Sequence, residues 1–125
     1  MADKFFTPKQ ADQTLGLVRT IVDDILGQAR QARDLMSAPD ISREGENRLM
    51  ELNHNIQALM ARLEDIGCYY KDWNFQVGLV DFPAIIHGQQ ALLCWRSDEP
   101  RIAWFHGLED GYAGRRPITS GLIFS

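Results

Sequence analysis

The feature that most constrains the fold is a pair of apolar rows in which hydrophobic residues recur at alternating steps of three and four. The first row runs from Leu15 to Met36, and the second runs from Leu49 to Ile66. Such steps keep side chains on one face of an α-helix, whose period is about 3.6 residues. Residues 7–66 contain no aromatic side chain, so both rows are aliphatic. The spacing predicts two long amphipathic helices.

Local signals mark where these helices begin and end. Thr7 can cap the first helix, Pro8 suits its first position, and Gln10 completes a capping box. Pro39 disfavours helix in the stretch 37–42. Gly67 follows the second row as a C-cap. Two long helices joined by a short loop predict an antiparallel helical hairpin with coiled-coil-like packing over 7–66.

The chain changes character after Gly67, where all three tryptophans and all three tyrosines lie. His87 and Gly88 form a two-residue turn between apolar stretches, which is typical of a β-hairpin. A second turn is predicted at 97–100. The expected strands are about 77–86, 89–96 and 101–106, with 68–71 as a further short strand.

Pairing outward from the two turns predicts the register. The first turn places Asp81 opposite Cys94 and Val80 opposite Trp95, with Pro83 on an edge strand where a missing donor is tolerated. The second turn sets up four pairs: Arg96 with Arg101, Trp95 with Ile102, Leu93 with Trp104, and Ala91 with His106. Leu93, Trp95, Ile102 and Trp104 then form the face for the hairpin to cover.

These elements predict a single domain over 1–125 of the α+β class. A long antiparallel helical hairpin packs on a small antiparallel β-meander, which occupies 67–118. The tail 119–125 is expected to form an extra strand or a contact segment.

Charge and cysteine content narrow the function classes. The formal net charge of −4 argues against nucleic acid as a partner. No apolar run approaches the roughly 18 residues that span a bilayer. Cys68 and Cys94 are the only cysteines, and no signal-like N-terminus precedes them, which favours reduced thiols and a cytoplasmic location.

The predicted polar face of the sheet carries Asp81, Cys94, Arg96 and Arg101. Two arginines directly opposite one another repel, and Asp81, Asp98 or Glu99 could relieve the repulsion. One interpretation is a surface ion-pair cluster that contributes little stability. The other is an anion pocket, because paired arginines suit carboxylate or phosphate.

The stretch 106–117, HGLEDGYAGRRP, is the second candidate region. His106 is the candidate acid/base, with Asp81 or Glu109 as its partner and Arg96 or Arg115 as anion holder. The three glycines let the chain turn sharply. We expect the stretch to fold back over the polar sheet face, bringing Arg115 near Asp81 and His106 near a carboxylate.

Four ordered motifs, GCYYKD, GLVDFPA, LLCWR and WFHGLEDGYAGRRP, together with the opening FFTPKQADQTLGLVR, resemble the bacterial domain-of-unknown-function family 2203. The resemblance covers about residues 5–118 and implies a shared local arrangement without a known activity. The positions that match the family motifs are Lys71, Asp72, Asp81, Cys94, Trp95, Arg96, Glu99, His106, Gly111, Gly114 and Arg115. Lys71, Asp72, Cys94, Arg96 and Arg115 are therefore the candidate ligand-binding residues.

Three function hypotheses follow. The first is a binding or assembly module that takes a small anionic ligand and forms a homodimer through the hairpin, where Leu17 and Ile21 widen the apolar face. The second is a small enzyme built on His106. The third is a metal site at His106 with Glu109 or Asp110, although zinc sites normally show three or four protein ligands. No cofactor and no metal ligand set are assigned.

Overall fold

A computed structural model describes residues 4–125. Its element order is two α-helices, α1 (Pro8–Met36) and α2 (Arg43–Ile66), followed by β1 (Tyr69–Tyr70), β2 (Leu79–Ile86), β3 (Gln89–Arg96), β4 (Trp104–His106), a 3-10 turn (Tyr112–Gly114) and β5 (Arg116–Pro117). Within these residues, the strands form one antiparallel sheet in the order β1-β2-β3-β4-β5. The predicted α+β fold, a helical hairpin on an antiparallel meander, is confirmed.

The helix ends follow the sequence signals. The Thr7 hydroxyl accepts a hydrogen bond from the backbone N–H of Gln10, and the Gln10 side chain accepts one from the N–H of Thr7, which completes the capping box. Ser42 caps α2 through the N–H of Gly45. Gly67 ends α2 at φ 111, a left-handed conformation in which a Cβ would be strained.

The hairpin covers one face of the sheet and makes the main hydrophobic core with it. Val18, Ile25 and Leu63 of the helices share this core with Phe82 and Trp95 of the sheet. Ile21 is only 1% exposed and belongs to the same core, so its expected place on an outer apolar face was wrong. Leu17 is 49% exposed and remains on that outer face.

The buried face of α2 is centred slightly away from the predicted row. Met60 is buried, whereas Leu59 is only partly buried at the edge of the core. We expect Leu63→Ala to lower the free energy of unfolding by about 2–5 kcal/mol, because it leaves a cavity in the core. Leu59→Ala should cost clearly less, and urea melts of both variants check the order. Equal losses would show that the two side chains are equally buried in solution.

The hairpin between β2 and β3 has the predicted register, with Asp81 opposite Cys94 and Val80 opposite Trp95. His87 and Gly88 have φ values of 51 and 78, as a two-residue turn of this kind requires. However, β2 is the second strand of the sheet and not an edge strand. The short β1 covers only the first part of this edge of β2. Further along the same edge, the carbonyl of Pro83 accepts a hydrogen bond from the N–H of Phe6 at 2.7 Å.

The C-terminal tail reaches the same side of β2. Ile86 and Phe124 form an isolated antiparallel bridge, and the Phe124 side chain packs against the core. The N–H of His87 donates to the carbonyl of Ile123 at 2.8 Å. The tail is therefore a contact segment that continues the sheet by a single bridge.

The predicted pairing of β3 with β4 is wrong by one residue. Cys94 lies opposite Trp104, and Leu92 lies opposite His106. Because side chains alternate between the two faces of a sheet, a slip of one residue moves the whole strand to the other face. Trp104 and His106 therefore lie on the face of Cys94, and Phe105 packs toward the core.

The slip arises because residues 97–103 form a loop whose backbone bonds to α1. Arg19 donates to the carbonyls of Ser97 and Glu99, at 3.1 and 3.2 Å. The N–H of Ile102 donates to the Asp12 carboxylate at 2.7 Å. Because these backbone groups already bond to α1, they are not available to pair with β3. The expected pair of Arg96 with Arg101 therefore does not form.

Candidate functional site

The candidate site lies on the sheet face away from the hairpin, where β2, β3 and β4 each contribute one side chain. Asp81 and Cys94 are direct cross-strand partners, and His106 is placed beside them by the observed register. All three are buried, with exposures of 5%, 2% and 3%. One ligand atom from each of the three side chains lies within 4.8 Å of the others.

His106 is held through both of its ring nitrogens. Nδ1 lies 2.7 Å from the carbonyl oxygen of Gly107, and Nε2 lies 3.2 Å from Oδ1 of Asp81. A carbonyl oxygen only accepts, so Nδ1 carries a proton. The expectation that His106 lies near a carboxylate is met by Asp81.

Burial controls the ionisation of the other two members. Desolvation raises the pKa of Asp81 above its ordinary value, against the opposing effects of His106 and then Lys71. Desolvation also raises the pKa of Cys94 to about 12, and the Asp81 carboxylate adds to the rise. The Cys94 thiol is therefore protonated at neutral pH.

A cavity of about 280 Å³ lies beside these side chains. Its charged and polar lining includes Lys71, Asp81 and His106, and its walls include three leucines, Leu79, Leu92 and Leu108. Gly111 and Tyr112 complete the lining. The stretch 106–117 therefore folds back over the polar face, as predicted.

Close approaches within this loop explain its glycines. The Asp110 carboxylate accepts a hydrogen bond from the N–H of Gly107 at 3.0 Å. A Cβ on Gly107 would lie 2.6 Å from that carboxylate, and Gly111 has a φ of 66. Asp110 therefore closes the turn, and its carboxylate oxygen is engaged by the backbone.

The two candidate anion-holding arginines lie outside the cavity lining. Arg115 donates to Glu99 at 2.8 Å and to the carbonyl of Cys94 at 3.1 Å, and its guanidinium lies over the ring of Trp104. Arg96 pairs with Asp98 at 2.6 Å and donates to the hydroxyl of Tyr112. The ion-pair partner of Arg115 is Glu99 and not Asp81.

Two other predicted site residues also lie elsewhere. The Asp72 carboxylate accepts hydrogen bonds from the N–H groups of Asn74, Gln76 and Val77, so it organises its own loop. Glu109 is exposed and outside the cavity lining. Of the eight predicted residues, the structure brings together Lys71, Asp81, Cys94 and His106.

Sequence reasoning missed Leu79 and Leu92 as cavity residues, and also the carbonyl of Gly107. A signal for the leucines was present, because each lies two positions before Asp81 or Cys94 on its strand and so shares its face. No side-chain pattern could have indicated a backbone carbonyl.

The second cysteine allows a pH prediction outside this site. Burial raises the pKa of Cys68 from 9.0 to about 12. Between these values the unfolded chain loses the proton while the folded chain keeps it, so stability falls as pH rises, by at most about 1.4 kcal/mol per pH unit. Urea melts of wild type and Cys68→Ala across this range check it. The wild type should lose more stability than the variant, and parallel curves would contradict the prediction.

The fold and the site together define a class: an α+β domain in which a helical hairpin backs a meander that carries a buried Asp-Cys-His cluster. A family model described as an uncharacterized conserved protein, DUF2203, matches residues 4–118. The chain belongs to the DUF2203 family, as its motifs predicted. No curated protein and no solved structure matches the chain. Among residues 4–125, no helix is both long and apolar enough to cross a membrane.

Proposed function

We propose that this chain is a small binding module whose ligand occupies the cavity beside Asp81 and His106. The observation that carries the proposal is the buried Asp81–His106 pair at the cavity wall. Buried ion pairs are weak stabilisers, because the desolvation cost offsets the attraction. Groups with environments of this kind concentrate at functional sites. The cavity volume, about 280 Å³, suits a small molecule.

The lining indicates what kind of ligand fits. Lys71 is exposed and supplies a positive charge at the cavity wall, whereas Arg96 and Arg115 are engaged in other contacts. Leu79, Leu92 and Leu108 supply apolar surface. A small carboxylate with a short apolar stem matches both features, and Lys71 takes the anion-holding role that the sequence assigned to arginine.

NMR titration of the labelled protein with acetate, butyrate and inorganic phosphate tests this proposal. Chelator is present throughout, so that metal plays no part. We expect butyrate to shift the amide signals of Lys71, His106 and Tyr112 in a saturable way. Lys71→Gln should weaken binding about tenfold or more, as expected for a hydrogen bond to a charged group.

Lys9→Gln provides the matched control, because Lys9 is an exposed lysine on α1. Lys9→Gln removes the same charge at a position that does not line the cavity, so it should leave binding unchanged. The proposal would be overturned by amide shifts that do not saturate. It would also be overturned if Lys9→Gln and Lys71→Gln weakened butyrate binding equally.

A proton-transfer enzyme is the second candidate, and the raised pKa of Asp81 beside a cavity favours it. Both ring nitrogens of His106 are already engaged. The acid/base role therefore falls to Asp81, with His106 holding it in place. Asp81→Asn should abolish turnover of any ligand that is converted.

Self-association through the hairpin is a further proposal. Leu17, Met36 and Met50 are exposed apolar side chains on the two helices, and exposed apolar surface often marks contacts. We expect sedimentation at micromolar concentration to show a homodimer that Leu17→Glu dissociates. A wild-type monomer across the accessible range would remove the proposal.

A reducing compartment such as the cytoplasm is the proposed location. Both cysteines are free and buried. Thiols in this state persist where the redox poise keeps them reduced.

A further inference from the structure

The register of the sheet brings three different metal-ligating side chains to one buried point. Asp81 supplies a carboxylate, Cys94 a thiol and His106 an imidazole, from three adjacent strands. Strands hold side chains more precisely than loops do, which suits a site that needs fixed geometry. The ligand atoms lie within 4.8 Å of one another before any ion is added.

The hydrogen bonds of His106 define which nitrogen faces the cluster. Nδ1 donates to the Gly107 carbonyl, so Nε2 is the nitrogen that faces the cluster. Nε2 lies 3.2 Å from Asp81 Oδ1. A metal ion held between these two atoms would take the place of the proton that they share. Histidines that bind metals usually donate their other N–H to a carbonyl or carboxylate in this way.

The spacing of the oxygen and nitrogen ligands also matches a tetrahedral ion. With bonds of about 2.0–2.1 Å, oxygen and nitrogen ligands of tetrahedral zinc lie about 3.3 Å apart. The Asp81 and His106 atoms are 3.2 Å apart. A mixed set of sulfur, nitrogen and oxygen donors is one that zinc accepts.

We propose that Asp81, Cys94 and His106 bind a single zinc ion through Oδ1, Sγ and Nε2. All three side chains line the cavity, which leaves space for a fourth ligand, as in zinc sites that take a water or a ligand. This inference does not depend on the carboxylate-binding proposal. It replaces the sequence-based hypothesis of a metal held by His106 with Glu109 or Asp110.

Binding of zinc would balance the charges of the cluster. Without metal, Cys94 is a buried free thiol. On binding, the sulfur–hydrogen bond breaks, the sulfur lone pair forms the bond to zinc, and the proton passes to the buffer. The thiolate and the Asp81 carboxylate then balance the two positive charges of the ion.

Titration of the full chain with Co²⁺, followed by displacement with Zn²⁺, tests the site. Cobalt stands in for zinc because its spectrum reports its ligands. We expect one Co²⁺ per chain, visible bands typical of tetrahedral cobalt, and a thiolate-to-cobalt charge-transfer band. Calorimetry of Zn²⁺ binding in two buffers of different ionisation enthalpy should show proton release from the thiol.

Three variants and two controls assign the ligands. Asp81→Asn, Cys94→Ser and His106→Gln should each weaken metal binding more than about 100-fold, since removing even a group that only hydrogen-bonds to a ligand typically weakens binding about 10–100-fold. Cys68→Ala and His54→Gln should bind as wild type does, because Cys68 is the other cysteine and His54 is an exposed histidine on α2.

Circular dichroism of each variant checks that it is folded. The wild-type spectrum provides a test that needs no variant: cobalt bound without a thiolate band would overturn the assignment of Cys94, and no binding at micromolar metal would overturn the site. Butyrate binding is measured in the presence of chelator and metal binding in its absence. A failure of the zinc proposal can therefore be told apart from a failure of the carboxylate proposal.

Discussion

His106→Ala is expected to lower the free energy of unfolding by about 3–5 kcal/mol in the presence of chelator, because it leaves the buried Asp81 carboxylate without its partner. Asp81 is buried and its Oδ1 contacts His106 Nε2 at 3.2 Å. Replacing one member of a buried pair leaves a charged or polar group that neither water nor protein satisfies. Urea melts at neutral pH measure the loss.

A double variant separates the pair from its surroundings. Asp81→Ala combined with His106→Ala removes both polar groups, so we expect it to cost clearly less than the sum of the two single variants. His54→Ala is the matched control, and its exposed position predicts a change within about 0.5 kcal/mol. Additive single losses would show that the two side chains do not stabilise one another.

The same measurement separates two roles for the loop that follows His106. If His106 only contacts a ligand, its removal leaves stability unchanged. If it also holds the loop to the sheet through Asp81 and the Gly107 carbonyl, stability falls. The geometry predicts the second result.

Trp95→Ala is expected to cost about 3–5 kcal/mol, the range for removing a large buried aromatic side chain. Trp95 is fully buried in β3, and its Nε1 donates to the carbonyl of Glu99 at 3.0 Å. The guanidinium of Arg19 lies 5.1 Å from the ring centroid. The variant therefore loses core volume and the contacts that fix the loop after β3 to α1.

Trp73→Ala is the control, because Trp73 is 66% exposed and should cost less than about 1 kcal/mol. Thermal and urea melts of both variants provide the comparison. A loss at Trp95 no larger than that at Trp73 would mean that the hairpin does not cover this face of the sheet in solution.

Local rules in the sequence were enough for the helices and for one hairpin. Alternating steps of three and four indicated both helices, and Thr7, Gln10 and Gly67 marked their ends. A two-residue turn leaves no freedom in how its strands pair, so His87 and Gly88 set Asp81 opposite Cys94. These features depend on neighbouring residues, which is why the sequence alone predicted them.

The partner of His106 was decided by the tertiary structure. The turn after β3, closed by the Glu99 N–H on the Arg96 carbonyl, does not lead directly into a strand, and the backbone of residues 97–103 bonds instead to Arg19 and Asp12, which lie about 80 to 90 positions earlier in the chain. The sequence therefore determined that His106, Asp81 and Cys94 belong to one sheet. Contacts with α1 shifted β4 by one residue, and because side chains alternate along a strand, that shift placed all three on the same buried face.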